Sequence, residues 1–141
     1  MKDIIFEVST REEYNLIDDR IIKYNSSKVL FTQDPAFIPI NRVIKDASGD
    51  IVAGINSILY SWNCLFIDVL WVKEELRVKG YGSVLLNETE RIAKEKGCKL
   101  IHLDTFGFQS KDFYIKHGYD IFGILENCSA EHKRYYMKKD L

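Results

Sequence analysis

The chain has 141 residues, 46% of them hydrophobic and 13% aromatic, enough to build one domain-sized core and too apolar for a disordered segment. Twenty basic side chains nearly balance 21 acidic ones, a formal net charge of −1. That balance argues against a nucleic-acid binder working by bulk phosphate attraction, while leaving room for a local cationic pocket. No apolar run approaches the roughly 20 residues that span a bilayer, and residues 1–10 lack the basic-then-apolar layout of a secretory signal. Cys64, Cys98 and Cys128 are far apart, odd in number and without metal-ligand spacing, which reads as free thiols in a reducing cytosol. The expectation is one cytoplasmic domain over residues 1–141, with no membrane or nucleic-acid partner and no metal.

In chain order, residues 4–8 form a short apolar run suited to an edge strand. Ser9 and Glu12 have capping-box spacing, and Tyr14, Ile17, Ile21 and Tyr24 follow at helical intervals. Residues 25–39 read as irregular, with space for a short helix or a substrate-side loop. Residues 40–45, the turn at 46–50 and residues 51–60 read as a hairpin; a second turn at 62–64 leads to a strand over 65–72. Val84, Leu85, Thr89, Ile92 and Ala93 mark one face of a helix that starts after Gly80 and stops at Gly97. Residues 100–104 are a strand, 110–116 a helix ended by His117-Gly118, 119–125 a strand, and 134–138 a closing strand. The layout is mixed α/β with one βαβ crossover over residues 65–104.

The chemistry concentrates between Leu70 and Ser83. A strand ends, a charged loop follows, and Gly80 and Gly82 open an amphipathic helix. Glycines let a ligand approach the backbone, and the first-turn N–H groups and helix dipole favour an anion. Arg77 and Lys79 supply charge and Ser83 a hydroxyl. A P-loop would need Gly-Lys-Ser/Thr after its second glycine, but Ser83-Val84 follows Gly82. The dinucleotide fingerprint would need a small residue where Leu85 stands. A plain tight turn from strand to helix is the alternative to an anion site.

Arg77-Val78-Lys79-Gly80-Tyr81-Gly82 matches the Arg/Gln-x-x-Gly-x-Gly/Ala signature of the GNAT superfamily of acyl-CoA N-acyltransferases. Phe113-Tyr114-Ile115-Lys116-His117-Gly118-Tyr119 resembles its second hallmark, an aromatic-Tyr pair followed by a basic residue, glycine and an aromatic. The resemblance covers residues 51–125 well and the N-terminal quarter poorly. It implies a central mixed sheet of about six to seven strands, flanked by helices, with a splayed central strand pair. It also implies acetyl-CoA as co-substrate, an acyl (acetyl) group passed to a small-molecule or peptide amine, and family members that are often homodimers.

By the same resemblance, Leu70 and Val72 contact pantetheine, and Arg77, Val78, Lys79, Gly80, Tyr81, Gly82 and Ser83 hold the pyrophosphate. Tyr114 matches the tyrosine that protonates the departing thiolate; its other reading is a half-buried aromatic with a satisfied hydroxyl. Asp68 interrupts an apolar strand and shares parity with Phe66, Leu70 and Val72, so strand alternation puts all four on one side. It is a base, a water-mediated base, an anchor for a cationic substrate, or an ordinary strand aspartate. His102 is an alternative proton acceptor or a satisfied core histidine, His117 belongs to a helix end, and His132 to a loop near the acceptor side. A catalytically silent acyl-CoA sensor is the alternative to an enzyme.

Overall fold

A computed structural model describes residues 3–141, which divide into two compact units, residues 3–31 and residues 32–141. In the first, residues 4–10 form no strand, against the expectation of an edge strand there. Helix α1 (Arg11–Lys28) follows, and its cap is Thr10 rather than Ser9. The Glu13 amide donates to Thr10 Oγ1 at 3.1 Å and the Thr10 amide to Glu13 Oε1 at 3.0 Å, a reciprocal capping box. The sequence Ser9-Thr10-Arg11-Glu12-Glu13 fits the motif in two registers one residue apart, and the later one forms.

The second unit is built on one sheet. Its strands are β1 (Phe37–Pro39), β2 (Arg42–Lys45), β3 (Ile51–Tyr60), β4 (Cys64–Val72), β5 (Leu100–Phe106), β6 (Asp120–Ser129) and β7 (His132–Asp140). The spatial order is β1-β3-β4-β5-β7-β6, with β2 also pairing β3. Every pair is antiparallel except β4 with β5. That parallel pair is joined by α2 (Tyr81–Glu95), the expected crossover; α3 (Lys111–Lys116) lies between β5 and β6. The β2–β3 turn is tied by Asp46 Oδ1, which accepts from the amides of Ser48 and Asp50 at 2.9 and 3.0 Å. The last two strands run longer than the sequence pattern predicts, because their polar ends pair with each other at Ser129 and His132.

Helix α2 buries Leu85, Leu86, Thr89, Ile92 and Ala93. Val84, expected on that face, is 61% exposed, and Leu86 takes its place at 0%. The stripe through 85, 89 and 92 and through 86, 89 and 93 is centred about one residue away from Val84. Beneath it lie Ile55, Leu59, Leu65, Ile67, Ile101, Leu103 and Met137, with Tyr114 and Tyr119 closing one side. Truncating Leu86 to alanine in such a core costs about 2–5 kcal/mol. The helix ends as predicted: Gly97 takes φ 82 and the Cys98 amide reaches Ala93 O at 2.9 Å.

Strand β4 does not alternate regularly. Ser57 pairs with Ile67 and Asn56 with Val69, so Asp68 is the extra residue of a β-bulge. Before the bulge Leu65 and Ile67 enter the core; after it Leu70 and Val72 pack against the same core. Phe66 therefore does not share a side with Leu70 and Val72. The inserted residue at 68 reset the parity on which that expectation rested.

Candidate active site

Strands β4 and β5 pair only from Cys64↔Leu100 to Ile67↔Leu103. Beyond that, β4 runs on to Val72 bonded to β3 alone, and β5 runs on to Phe106 bonded to β7 alone. The two strands part where the bulge stands, and their facing edges are left without a partner strand; at the far ends Arg77 takes Val72 O and Gln109 takes the Phe106 amide. A cavity of about 210 Å³ opens there, lined by Ile67, Asp68, Leu70, Asp104, Gln109 and Tyr114, among others.

Tyr114 comes to this cleft from α3. It is only 4% exposed, and its ring meets Phe113 and Tyr119 edge-on at centroid distances of 5.2 and 5.5 Å. Its hydroxyl has no hydrogen-bond partner among the described residues, yet the residue lines the cavity. Burial pushes the phenol well above its ordinary pKa, so the group keeps its proton and is a donor rather than a base. Asp68, exposed at the bulge, makes no hydrogen bond or ion pair among the described residues and lines the same cavity.

The turn from β4 to α2 is organised by its own contacts. A 3-10 turn over Glu74–Leu76 follows β4, and Arg77 Nε donates to Val72 O at 3.1 Å. Val78 takes φ 63, a strained value for a β-branched residue, with its side chain fully in solvent. Gly80 caps α2 at φ 92, and a Cβ there would meet nothing within 4 Å. The Val84 amide bonds Gly80 O at 3.0 Å, so the amides of Tyr81, Gly82 and Ser83 before it have no helical carbonyl to use. Three free N–H groups, open space at Gly80 and the exposed cations Arg77 and Lys79 fit a phosphate group. Leu70 and Val72 are partly buried and pack against the core, and Leu70 also lines the cleft cavity. Tyr81 lines a different cavity of about 420 Å³ with Lys45, Lys73 and Leu76, which contains neither Tyr114 nor Asp68.

The histidines separate. His102 lies 2.7 Å from Tyr60 Oη through Nε2 and packs on Phe66 at 5.2 Å. It does not line the cleft cavity; it is satisfied by Tyr60 but only half-buried, on the face of β5 opposite the buried Ile101 and Leu103 rather than in the core. Burial lowers its pKa, opposed by the nearby Asp104 charge. His132 opens β7 and stands edge-on to Phe108 at 4.8 Å. His117 reaches the first turn of α2, with Nε2 at 3.0 Å from Ser83 Oγ.

Sequence reasoning missed three further groups. Asp104 lines the cleft and is gripped by Arg134, whose Nε lies 2.9 Å from Oδ1. The Arg134 guanidinium also lies over Phe106 and Tyr136, at 5.6 and 5.7 Å. Gln109 Oε1 accepts from the Phe106 amide at 2.8 Å and shapes the loop before α3. The alternation of His102, Asp104 and Phe106 along β5 is the signal that could have found Asp104. Among the described residues no cluster of His, Cys, Asp and Glu could hold a metal ion, and no helix is long and apolar enough to cross a membrane.

Known proteins resemble this chain in sequence and fold. The family model described as Acetyltransferase (GNAT) family matches residues 5–119. A crystal structure of an acetyltransferase from Bacillus cereus ATCC 14579 is 40% identical, with a TM-score of 0.88 and 100% of both chains covered. Blasticidin-S acetyltransferase of Streptomyces morookaense is 39% identical over 59 residues, 41% of this chain; the match spans only 43% of that relative's length. An aminoglycoside 6′-N-acetyltransferase complexed with coenzyme A shares the fold at a TM-score of 0.64 and 18% identity, over 97% of each chain.

Proposed function

This chain belongs to the acetyltransferase (GNAT) family, and on that premise we propose that it transfers an acetyl group from acetyl-CoA to an amine by direct attack on the thioester. The observation that carries this reading is Tyr114, a buried ring whose unpartnered hydroxyl belongs to the lining of the cleft between β4 and β5. The ring is held in the core while the hydroxyl, unlike the buried Thr89 Oγ1, is not shut away from the cleft, so its proton is available to a ligand there.

The pyrophosphate binds the amides of Tyr81, Gly82 and Ser83 together with Arg77 and Lys79, and the pantetheine arm pairs with the edge of β4 that faces the cleft after Asp68, short of Val72 O, which Arg77 Nε takes. This places the thioester in the cleft. Asp68 receives the acceptor as its ammonium, and the proton leaves through that carboxylate or a water beside it. The neutral amine nitrogen then attacks the thioester carbonyl, and a C–N bond forms as the C–S bond breaks. Tyr114 passes its proton to the departing sulfur, giving CoA thiol, and is reprotonated by the second proton the amine nitrogen loses. The buried phenol is suited to this task because it never releases its proton at neutral pH on its own.

The test begins with calorimetric titration of acetyl-CoA into the native chain, followed by a thiol-release screen over polyamines, aminoglycosides, amino acids and peptides. The reading expects micromolar binding and turnover of at least one amine, with turnover strongly reduced in Tyr114→Phe. Binding without turnover of any amine class favours a silent acyl-CoA sensor. Absence of binding removes the acyltransferase reading altogether.

A further inference from the structure

Ser83 and His117 are 34 residues apart in sequence and 3.0 Å apart at Oγ and Nε2. Resting on the cofactor site proposed above, we propose that His117 is a positioning residue of that site. Its Nε2–H donates to Ser83 Oγ, so that Ser83 gives its own proton to a phosphate oxygen of the nucleotide.

The direction of the bond follows from donor counting. A serine hydroxyl has one proton and two lone pairs, whereas a phosphate oxygen only accepts. Were Nε2 unprotonated, the Ser83 proton would be spent on it and Oγ would meet the anion with lone pairs. With the proton on Nε2, the same 3.0 Å contact fills a lone pair of Oγ and leaves the hydroxyl proton free. An anion at the start of α2 therefore selects the imidazole form protonated at Nε2.

The imidazole is held where it can do this. Its ring packs tilted on Phe113 at 4.6 Å. The residue caps α3, with its amide bonded to Tyr114 O at 3.0 Å. The His117 carbonyl accepts from Lys139 Nζ at 2.9 Å, and the same ammonium pairs with Glu90 Oε1 of α2, also at 2.9 Å. The backbone of His117 is thus pinned from β7 and linked to α2, and its ring bridges back to Ser83. Through this bond the first turn of α2 is joined to the short helix that carries Tyr114.

The test measures CoA affinity by calorimetry in the native chain, His117→Leu, His117→Gln, Ser83→Ala and the Ser83→Ala/His117→Leu double variant. Loss of one hydrogen bond to a charged group weakens binding about tenfold. The expected result is about that loss in each single variant and no further loss in the double one. Glutamine should restore affinity to within about threefold, because its amide nitrogen stands where Nε2 stands. Pantetheine, which has no phosphates, should bind all variants alike in ligand-observed NMR. Native affinity in His117→Leu overturns the proposal, as do a glutamine variant as weak as the leucine one and losses that multiply to about a hundredfold. If His117→Leu does not fold, His117→Glu against His117→Gln decides: glutamate only accepts, and equal affinity in the two overturns the role. A native chain that does not bind CoA removes the acyltransferase reading and this role together. Native binding with insensitive variants removes only the role of His117.

Discussion

Gly82 in the first turn of α2 lies against the ring of Phe113 in α3: a Cβ built on it would stand 3.4 Å from Cε1 and Cζ and 3.8 Å from Val72 Cγ2. The two glycines of the turn therefore serve different ends. Gly80 supplies a left-handed backbone, φ 92, in open space. At Gly82 a methyl would just reach contact with the helix that carries Tyr114, and anything larger would meet Phe113.

The prediction is that side-chain size at position 82 controls folding and Tyr114 placement before it affects phosphate access. Gly82→Ala puts its methyl at contact distance and should melt within a few degrees of the native chain. Gly82→Leu must push Phe113 aside, an overpacking that costs about 1–3 kcal/mol. Urea denaturation checks the order, and a leucine variant as stable as the alanine one would contradict it. For the same reason a bulky residue at 82 is a poor probe of the phosphate site, whereas Arg77→Ala leaves the Gly82–Phe113 contact intact.

Removing the Tyr114 hydroxyl should separate stability from turnover. The group has no partner among the described residues, so Tyr114→Phe should unfold no earlier than the native chain, and acetyl-CoA should bind within about twofold. The rate constant kcat should fall about a hundredfold, the range for a general acid. The pH profile carries the sign: the acid acts in its protonated form, and burial raises its pKa above that of an ordinary phenol, about 10. No alkaline limb due to Tyr114 should therefore appear below about pH 10. An alkaline limb near neutrality that disappears in Tyr114→Phe would contradict its assignment.

Where the sequence could be read, local chemistry carried the signal. The β2–β3 hairpin shows in Asp46 and Gly49, the end of α2 in Gly97, and the crossover in two apolar segments flanking an amphipathic helix. The bulge at Asp68 left no such trace, because β4 is apolar on both sides of it and holds no glycine or proline; only pairing with Ser57 and Asn56 reveals it. Val84 and Leu86 are equally apolar, and only the sheet beneath α2 decides which one is buried. The Ser83–His117 and Asp104–Arg134 contacts join residues at least 30 positions apart, beyond the reach of any local pattern.

His102 predicts an acid-side loss of stability. Burial foremost lowers its pKa, with Asp104 opposing, so the folded chain binds this proton less readily than the unfolded chain. The stability it confers is complete above the unfolded-state value, about 6.5, and is lost as pH falls through the lower folded-state value. The urea midpoint should drop between pH 7.5 and 5, and drop less in His102→Gln, which keeps a partner for Tyr60 Oη without titrating. Carboxylates shift both chains alike, so the difference isolates the histidine. Parallel midpoint curves would show that His102 does not contribute.

Asp68 and Asp104 line one cavity but should respond oppositely to loss of charge. Asp68 is the extra residue of the bulge, exposed and without a side-chain partner among the described residues, so Asp68→Asn leaves every ladder pair of β4 in place. Its stability should stay within about 0.5 kcal/mol of native. If the carboxylate receives the acceptor's ammonium, KM for the amine should rise about tenfold or more while acetyl-CoA affinity holds. Asp104→Asn instead strips the Arg134 guanidinium of its counter-charge and should lower stability more than Asp68→Asn does. An Asp68→Asn variant with native KM and kcat would show that the amine is held elsewhere in the cleft. A rise in amine KM confined to Asp104→Asn would move the anchor to that strand and make Arg134 the residue that sets its orientation.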